Sequence, residues 1–346
     1  SLSKTIDYIL KARHPNGSWG DVRSTALSIW ALQEVVESRI PNNATDVLIS
    51  IIKESRRWLT EQRRIEDGGI SWESEVWDTS TCIIALLSDP SPHESEIIDQ
   101  AVAWLKKSAD PVWVDDIWES LLATVALIRK QKRSRGAARK DLKWLDRVFE
   151  WVCRIPSIES TGEFICPHYT GMTVWVYAEL HNSGFLENIK DNVALQVFHK
   201  KVQTAIYFLQ HCIKGPNSEP WSKYTFSNAY IVYALASLPN MINFSQLSTI
   251  SSWFSDWQNE EGGFEDIEDS ALAILAYVKL EKLYIDYLQL ENNQSTINLT
   301  YKLKVTCFLG YSSKAEKLAR AFKDFIKLDN EKIEILDWKD DFKIGS

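Results

Sequence analysis

Residues 263–280 read GFEDIEDSALAILAYVKL, and this stretch contains the pattern that decides the fold. An aromatic turn at Phe264 is followed by a short acidic segment and then by a run that is apolar nearly all round. Small polar and acidic residues cap helices, and an apolar run of this kind is typical of a helix surrounded by other helices. The stretch therefore predicts a turn that leads into a buried helix.

The same pattern occurs six times along the chain, about 40 to 57 residues apart, which is the period expected of helical hairpins. A more polar helix precedes each turn and should be half exposed, because its apolar residues recur at i, i+3 and i+4. Six outer and six buried helices predict a mainly α double ring with a concave centre. The aligned capping residues, where the buried helices should start, are Ser24, Asp78, Glu119, Thr170, Ser227 and Asp269.

Composition and charge limit the class of protein. The chain has 346 residues, 45% hydrophobic and 25% charged, as in a globular protein with one large domain and a small one. No stretch approaches the roughly 18 apolar residues of a membrane span, so we expect a cytoplasmic protein without membrane contact. The net charge of −8 argues against general nucleic-acid binding. Five cysteines, with Cys82 in a buried pattern, favour free thiols over a disulfide framework.

One local exception is the basic run of residues 129–143, RKQKRSRGAARKDLK. Such a run is suited to a phosphate-rich partner. However, no aromatic residue interleaves with the charges, and Gly136 interrupts a helix. The favoured interpretation is a solvated loop between repeats.

Some of the turns resemble a known repeat. Gln258 to Phe264, preceded by Trp253, resembles the glutamine–tryptophan repeat of terpenoid cyclases and protein prenyltransferases. The resemblance implies that residues 1–290 form the α/α toroid of that superfamily, (α/α)6. In such a turn glycine permits the chain reversal, the aromatic ring fills the layer between hairpins, and glutamine satisfies backbone groups at helix ends. This likeness specifies a fold and no reaction.

The acidic segment at residues 266–271 resembles the DxDDTA motif of class II terpenoid cyclases, whose middle carboxylic acid protonates an olefin or epoxide. This chain has Glu268 at that donor position, one methylene longer. In the favoured alternative Asp266 corresponds to Asp21, and Asp269 is a helix cap worth roughly 1 kcal/mol. The weak catalytic candidates implied by the resemblance are Asp266, Glu268 and Asp269.

Metal and cofactor sites are not expected in the repeats. The prenyltransferase zinc site needs an Asp-x-Cys pair at the start of a buried helix, and none occurs. Cys166 and His168 are two potential zinc ligands with no obvious carboxylate beside them, which is weak support. We therefore expect no metal and no cofactor in the toroid.

The pattern changes after the last repeat. Residues 291–300 are polar, lack a helical period and indicate a linker. Beyond them we predict a strand at 302–309, a glycine-serine turn, a helix at 314–326 and a second strand at 332–336. This order begins a βαβ unit and predicts a parallel sheet.

Residues 301–346 resemble the start of the TIR-like domains of bacterial antiphage effectors, although a flavodoxin-like start has the same order of elements. The resemblance implies self-association and NAD as the substrate of a complete TIR-like domain. The catalytic glutamate of TIR-like domains is not among these residues, so no residue that cleaves NAD is named. Nucleotide-binding candidates at the helix N-terminus, where phosphate or ribose binds well, are Gly310, Ser312 and Ser313.

Two functions follow from these resemblances. In the favoured one, the toroid is a sensor that binds a phage protein or a small ligand and controls the TIR-like effector in antiviral defence. In the alternative, the toroid is a class II terpenoid cyclase or a prenyltransferase-like enzyme, whose aromatic side chains stabilise a carbocation. An unassigned binding role also stays open. Candidate binding residues on the turn face are Trp72, Trp77, Asp78, Trp113, Trp118, Glu119 and Tyr169.

Overall fold

The computed structural model describes residues 1–38, 45–108, 117–133, 163–186, 193–213, 218–299, 305–309 and 333–337, with short pieces at 151, 154–155 and 157. The chain divides into two compact units, Ser1–Tyr284 and Ile285–Ser346. The described residues are mainly α-helical, as the sequence predicts.

The described helices follow the predicted order, and the outer helix predicted before the fourth buried helix falls outside the described residues. They are α1 (Leu2–Ala12), α2 (Val22–Glu37), α3 (Thr45–Glu61), α4 (Val76–Leu86), α5 (Pro92–Ser108), α6 (Ile117–Arg133), α7 (Pro167–Asn182), α8 (Val193–Cys212), α9 (Thr225–Ala236), α10 (Phe244–Trp257) and α11 (Ile267–Leu299). A short antiparallel hairpin, β1 (Arg64–Glu66) and β2 (Gly69–Ser71), lies between α3 and α4.

The helices that follow the aromatic turns, α2, α4, α6, α7, α9 and α11, are buried on nearly all sides wherever their side chains are described. In α4 every residue from 78 to 86 is buried. The preceding helices bury one face only. Helix α3, for example, buries Leu48, Ile52 and Leu59, which share one side of a helix. The predicted difference between buried and half-exposed helices is therefore confirmed.

The predicted capping positions were wrong by a few residues. The buried helices begin two residues earlier than predicted in five repeats and three residues earlier in α7. The side chain that caps α2 is Asp21, whose carboxylate accepts a hydrogen bond from the N–H of Ser24 at 2.7 Å. Likewise Asp266 accepts from the N–H of Asp269 at 2.8 Å, so Asp266 is the cap and Asp269 is the residue whose amide is capped. The cap and the residue three positions after it both carry small or acidic side chains, so the sequence alone does not distinguish them.

A recurring hydrogen bond sets the true register of the repeats. In each case the backbone N–H of a turn aromatic donates to a hydroxyl oxygen in the first turns of the buried helix. The bonds are Trp19 N to Thr25 Oγ1 (2.9 Å), Trp72 N to Thr79 Oγ1 (3.0 Å), Phe164 N to Thr170 Oγ1 (3.0 Å) and Phe264 N to Ser270 Oγ (3.0 Å). Thr170 therefore corresponds to Thr25, and Tyr169 takes the position of Ser24.

The glutamine of the last turn bonds to the first helix. Its side-chain nitrogen donates to the carbonyl oxygens of Ser1 at 3.1 Å and Gly262 at 2.9 Å, and to the hydroxyl of Thr5 at 2.7 Å. Gln258 thus joins the turn to the start of α1 and satisfies backbone groups at a helix end, as the sequence predicts. This contact brings the beginning of the repeats against their end.

In the second unit, β3 (Val305–Leu309) pairs in parallel with β4 (Ile333–Asp337). This pairing confirms the two predicted strands and their parallel direction. The predicted turn and helix between them fall in residues 310–332, outside the described residues. The expectation that residues 291–300 lack helix was wrong, because α11 continues to Leu299. No glycine or proline interrupts residues 291–299, so nothing in them terminates the helix.

Candidate functional site

The second residue of each buried helix contributes to one continuous layer, which we call the helix-start layer. Its members are Arg23, Trp77, Trp118, His168, Phe226 and Glu268. The guanidinium of Arg23 lies 4.7 Å from the ring centroid of Trp77, and Trp77 stacks on Trp118 at 4.5 Å. Trp118 stacks on His168 at 3.3 Å, and His168 lies 5.2 Å from Phe226. Equivalent residues from successive repeats are thus neighbours in space.

The last repeat joins this layer to the first. The carboxylate of Asp269 in α11 accepts a hydrogen bond from the backbone N–H of Phe226 in α9. The carboxylate of Glu268 accepts a hydrogen bond from the hydroxyl of Ser24 in α2 at 3.3 Å. Each of the six buried helices therefore contacts the next at this end, and α11 contacts α2.

Burial changes the protonation of the groups in the layer. Burial first, and then the charges of Asp266, Glu265 and Glu268, raise the pKa of Asp269 to about 7. Burial lowers the pKa of His168 to about 3, so its imidazole is neutral at physiological pH. Asp269, which follows Glu268 in α11, can therefore hold and release a proton near pH 7.

Several buried polar atoms of this region have no hydrogen-bond partner among the described residues, and they include Trp77 Nε1, His168 Nε2 and the hydroxyl oxygen of Tyr230. Tyr230 belongs to the same cluster, since its ring centroid lies 5.3 Å from that of Trp118. Each unsatisfied buried group costs about 1 to 3 kcal/mol, and such groups call for an explanation such as a functional role.

Most of the predicted site residues that the structure describes lie in or beside this layer. Trp118 and Asp78 are buried, and Trp77, Glu119 and Tyr169 are half-buried. The carboxylate of Asp78 pairs with Arg23 at 2.9 Å. These positions lie close to Glu268 and Asp269 through the contacts described above.

Other predicted residues lie elsewhere. Trp72 is fully buried and donates its indole N–H to the carbonyl of Leu59 at 2.8 Å, which ties its turn to the preceding helix. Trp113 and the nucleotide-binding candidates Gly310, Ser312 and Ser313 lie outside the described residues.

A second feature, which the sequence analysis missed, lies at the other end of the buried helices. A cavity of about 640 Å³ opens there, and we call it the helix-end cavity. All six buried helices contribute to its lining. Representative residues are Gln33 and Glu34 of α2, Leu87 after α4, Arg129 of α6, Asn182 of α7, Tyr233 of α9 and Lys279 of α11.

The floor of this cavity carries a network of paired charges. Arg129 pairs with Glu179 at 2.6 Å and donates to the hydroxyl of Tyr233 at 2.8 Å. The Tyr233 hydroxyl donates to Glu34 at 2.8 Å, and Lys279 pairs with Glu34 at 3.2 Å. The two cations and the two carboxylates balance, and the network joins helices α2, α6, α7, α9 and α11.

The network fixes the charge state of its members. Burial by itself raises the pKa of Glu34, but the nearby charges of Lys279 and Arg129 lower it to about 2. Burial raises the pKa of Tyr233 to about 12. The guanidinium of Arg129 also lies 5.0 Å from the ring centroid of Trp30, a cation–π contact. At neutral pH the floor is therefore charged and internally paired.

The rim of the cavity carries three exposed cations, Lys132, Arg133 and Lys282. None of the three forms an ion pair with a residue in the described part of the chain. Glu37 is the carboxylate at the rim. The interpretation of residues 129–143 as a loop was wrong for residues 129–133, which belong to α6. Residues 134–143 lie outside the described part of the chain.

A local signal for the cavity was present in the sequence. Arg129, Glu179 and Lys279 each stand near the end of an otherwise apolar helical run. Charged residues in buried positions are almost always paired. Three such residues in different repeats, with both signs of charge, indicate a buried ion cluster.

Metal-binding and membrane-spanning features do not occur in the residues that the structure describes. Within those residues, no group of three His, Cys, Asp or Glu side chains is arranged to hold a metal ion. No helix in the same residues is long and apolar enough to cross a membrane.

Comparisons with protein-family models and with curated proteins found no match to this sequence.

Proposed function

We propose that residues 1–284 form an α/α toroid that binds a small ligand in the helix-end cavity. The observation that carries this proposal is that all six buried helices line one cavity of about 640 Å³. Sites for small molecules have volumes of about 300 to 1,000 Å³, and the volume of this cavity falls within that range. The closed order of contacts between the buried helices supports the toroid.

We further propose that this toroid is a sensor and that it regulates the second unit. Helix α11 lines the cavity with Lys279 and Lys282 and continues to Leu299, and β3 follows in the chain. A ligand shifts such an equilibrium only if it binds two states with different affinity. In this proposal the second unit is part of a TIR-like effector that consumes NAD during antiviral defence. The parallel pairing of β3 and β4 is compatible with such an α/β domain.

A substitution that fills the cavity tests this function. Asn182 is exposed at the cavity, whereas His181 precedes it on the same helix, is exposed and does not line the cavity. We expect Asn182→Trp to abolish NAD depletion in phage-infected cells that produce the natural full-length protein, because the indole occupies the ligand space. His181→Trp, the matched control, should deplete NAD like the wild type. Both variants should melt within about 2 °C of the wild type, since neither replaces a core residue.

Undiminished NAD depletion in the Asn182→Trp variant would exclude the cavity as the sensing site. Loss of depletion in both variants, with unchanged melting, would also contradict the proposal, because the effect would then not depend on the cavity.

A cyclase-like function is the second candidate, and Asp269 is the observation that favours it. This carboxyl group is buried beside the aromatic helix-start layer and has a pKa of about 7. A protonated acid next to aromatic rings is suited to start a carbocation reaction. Under the sensor proposal, squalene or geranylgeranyl diphosphate incubated with the purified chain yields no cyclised product. A product that disappears in both Asp269→Asn and Glu268→Gln would favour the cyclase instead.

A further inference from the structure

The rim of the helix-end cavity carries an excess of positive charge, and we propose that its ligand is a small polyanion carrying a di- or triphosphate group. This inference rests on the proposed function, since it concerns the ligand of the same cavity. Among the described residues at the rim, Lys132, Arg133 and Lys282 accompany one carboxylate, that of Glu37. The excess of two positive charges matches a ligand with two or more negative charges.

The floor does not supply this excess. Arg129 and Lys279 are neutralised by Glu179 and Glu34 at hydrogen-bonding distances. The floor therefore offers its shape, the ring of Trp30 and the phenol of Tyr233, whereas the rim offers cations that form no ion pair with the described residues. A ligand with an anionic group at the rim and a less polar body toward the floor suits both parts.

Stabilisation of helix ends does not account for all three cations. Lys132 and Arg133 lie in the last turn of α6, where positive charge favours the helix dipole. The helix dipole does not favour a positive charge at Lys282, because this residue lies far from the end of α11 at Leu299. The overall composition does not explain the excess either, since the chain carries a net charge of −8. Three cations from two helices converge on one cavity in an acidic protein.

Titration calorimetry with inorganic pyrophosphate tests the proposal on the purified chain. Arg133→Gln and Lys282→Gln each remove one rim charge. Lys130→Gln is the matched control, because it makes the same change of charge on the same helix, outside the cavity lining, where Lys130 pairs with Asp99 at 2.7 Å. We expect each rim variant to weaken pyrophosphate binding about tenfold, the effect of losing one charged hydrogen bond. The control should bind like the wild type.

Two further titrations identify the source of the phosphate group. ATP and geranyl diphosphate both contain a diphosphate linkage. Tighter binding of ATP than of pyrophosphate would show that a nucleoside occupies the floor, and tighter binding of geranyl diphosphate would show that an isoprenoid does. If none of the three compounds binds, or if the rim variants bind them like the wild type, the proposal is wrong. Thermal melting of each variant should match the wild type, since both side chains are exposed.

The outcome is separable from that of the proposed function. If Asn182→Trp stops NAD depletion while no polyanion binds, the cavity is the sensing site and its ligand has another chemistry. If polyanions bind through the rim while Asn182→Trp leaves NAD depletion intact, the ligand class stands and the regulatory role fails.

Discussion

At the residue scale, Asp266 and Asp269 show that two aspartates three positions apart at a helix start have different environments. Asp266 is exposed and accepts a hydrogen bond from the N–H of Asp269 at the N-terminus of the helix, where an acidic side chain is favourable. Asp269 is buried, and the carboxylates around it disfavour its ionised form. A motif alignment places both in one acidic segment, but only their position relative to the helix start separates the exposed cap from the buried acid.

The raised pKa of Asp269 predicts a specific dependence of stability on pH. The folded state holds the proton up to about pH 7, whereas the ordinary pKa is 3.8. Between these values the folded state binds more protons than the unfolded state, so the contribution to stability is present below about pH 4 and is lost as pH rises through 7. We expect the free energy of unfolding of the wild type, minus that of Asp269→Asn, to fall from pH 4 to pH 8. Urea unfolding at several pH values measures this difference, and a difference that rises with pH would contradict it.

At the element scale, the register error has a physical origin in the helix start. A cap and the residue three positions later both favour short polar side chains, so Asp21 and Ser24 look alike in a sequence. The hydrogen bond from Trp19 to Thr25 distinguishes them, but it depends on the fold of the turn. The sequence could predict which helices are buried and which are half-exposed, because the spacing of apolar residues within each helix indicates it. The buried charges of the cavity floor left a local signal in the sequence, but the cavity itself could not be predicted, since its lining comes from six distant helices.

The second half of α11 was misjudged for a related reason. Residues 291–299 lack an apolar period, a pattern that is typical of a segment without a helix. An exposed helix needs no apolar face, and the segment contains no residue that ends one. Termination signals would have been the better guide here.

The helices themselves depend on the floor network. Arg129 links α6 to α7 and α9 through Glu179 and Tyr233. Arg129→Leu leaves the buried carboxylates with one cation fewer, and breaking a buried ion pair in this way costs about 3 to 5 kcal/mol. Lys130→Leu on the same helix removes a pair with Asp99, whose side chain is 65% exposed, so we expect a loss below about 1 kcal/mol. Chemical denaturation measures both, and similar losses would show that the network is not what holds these helices.

At the scale of the first unit, closure depends on the contact between α1 and the last turn. Gly262 lies against Lys4 of α1, and Gly17 is the equivalent glycine of the first turn. Both have a positive φ, +97° and +96°, so alanine is strained at either position by about 1 to 2 kcal/mol. A Cβ atom at Gly262 would lie 2.5 Å from the carbonyl oxygen of Lys4, whereas at Gly17 its nearest neighbours are 3.4 Å away.

The two glycines therefore form a matched pair that tests closure. Gly17→Ala should lose only the energy of backbone strain. Gly262→Ala should lose about 1 to 3 kcal/mol more, because the added methyl group displaces the backbone of α1. Urea unfolding of the two variants gives the difference directly. Equal losses would mean that α1 does not pack against the last turn in solution. The first unit would then be an open array of hairpins, and the cavity shared by all six buried helices would lose its basis.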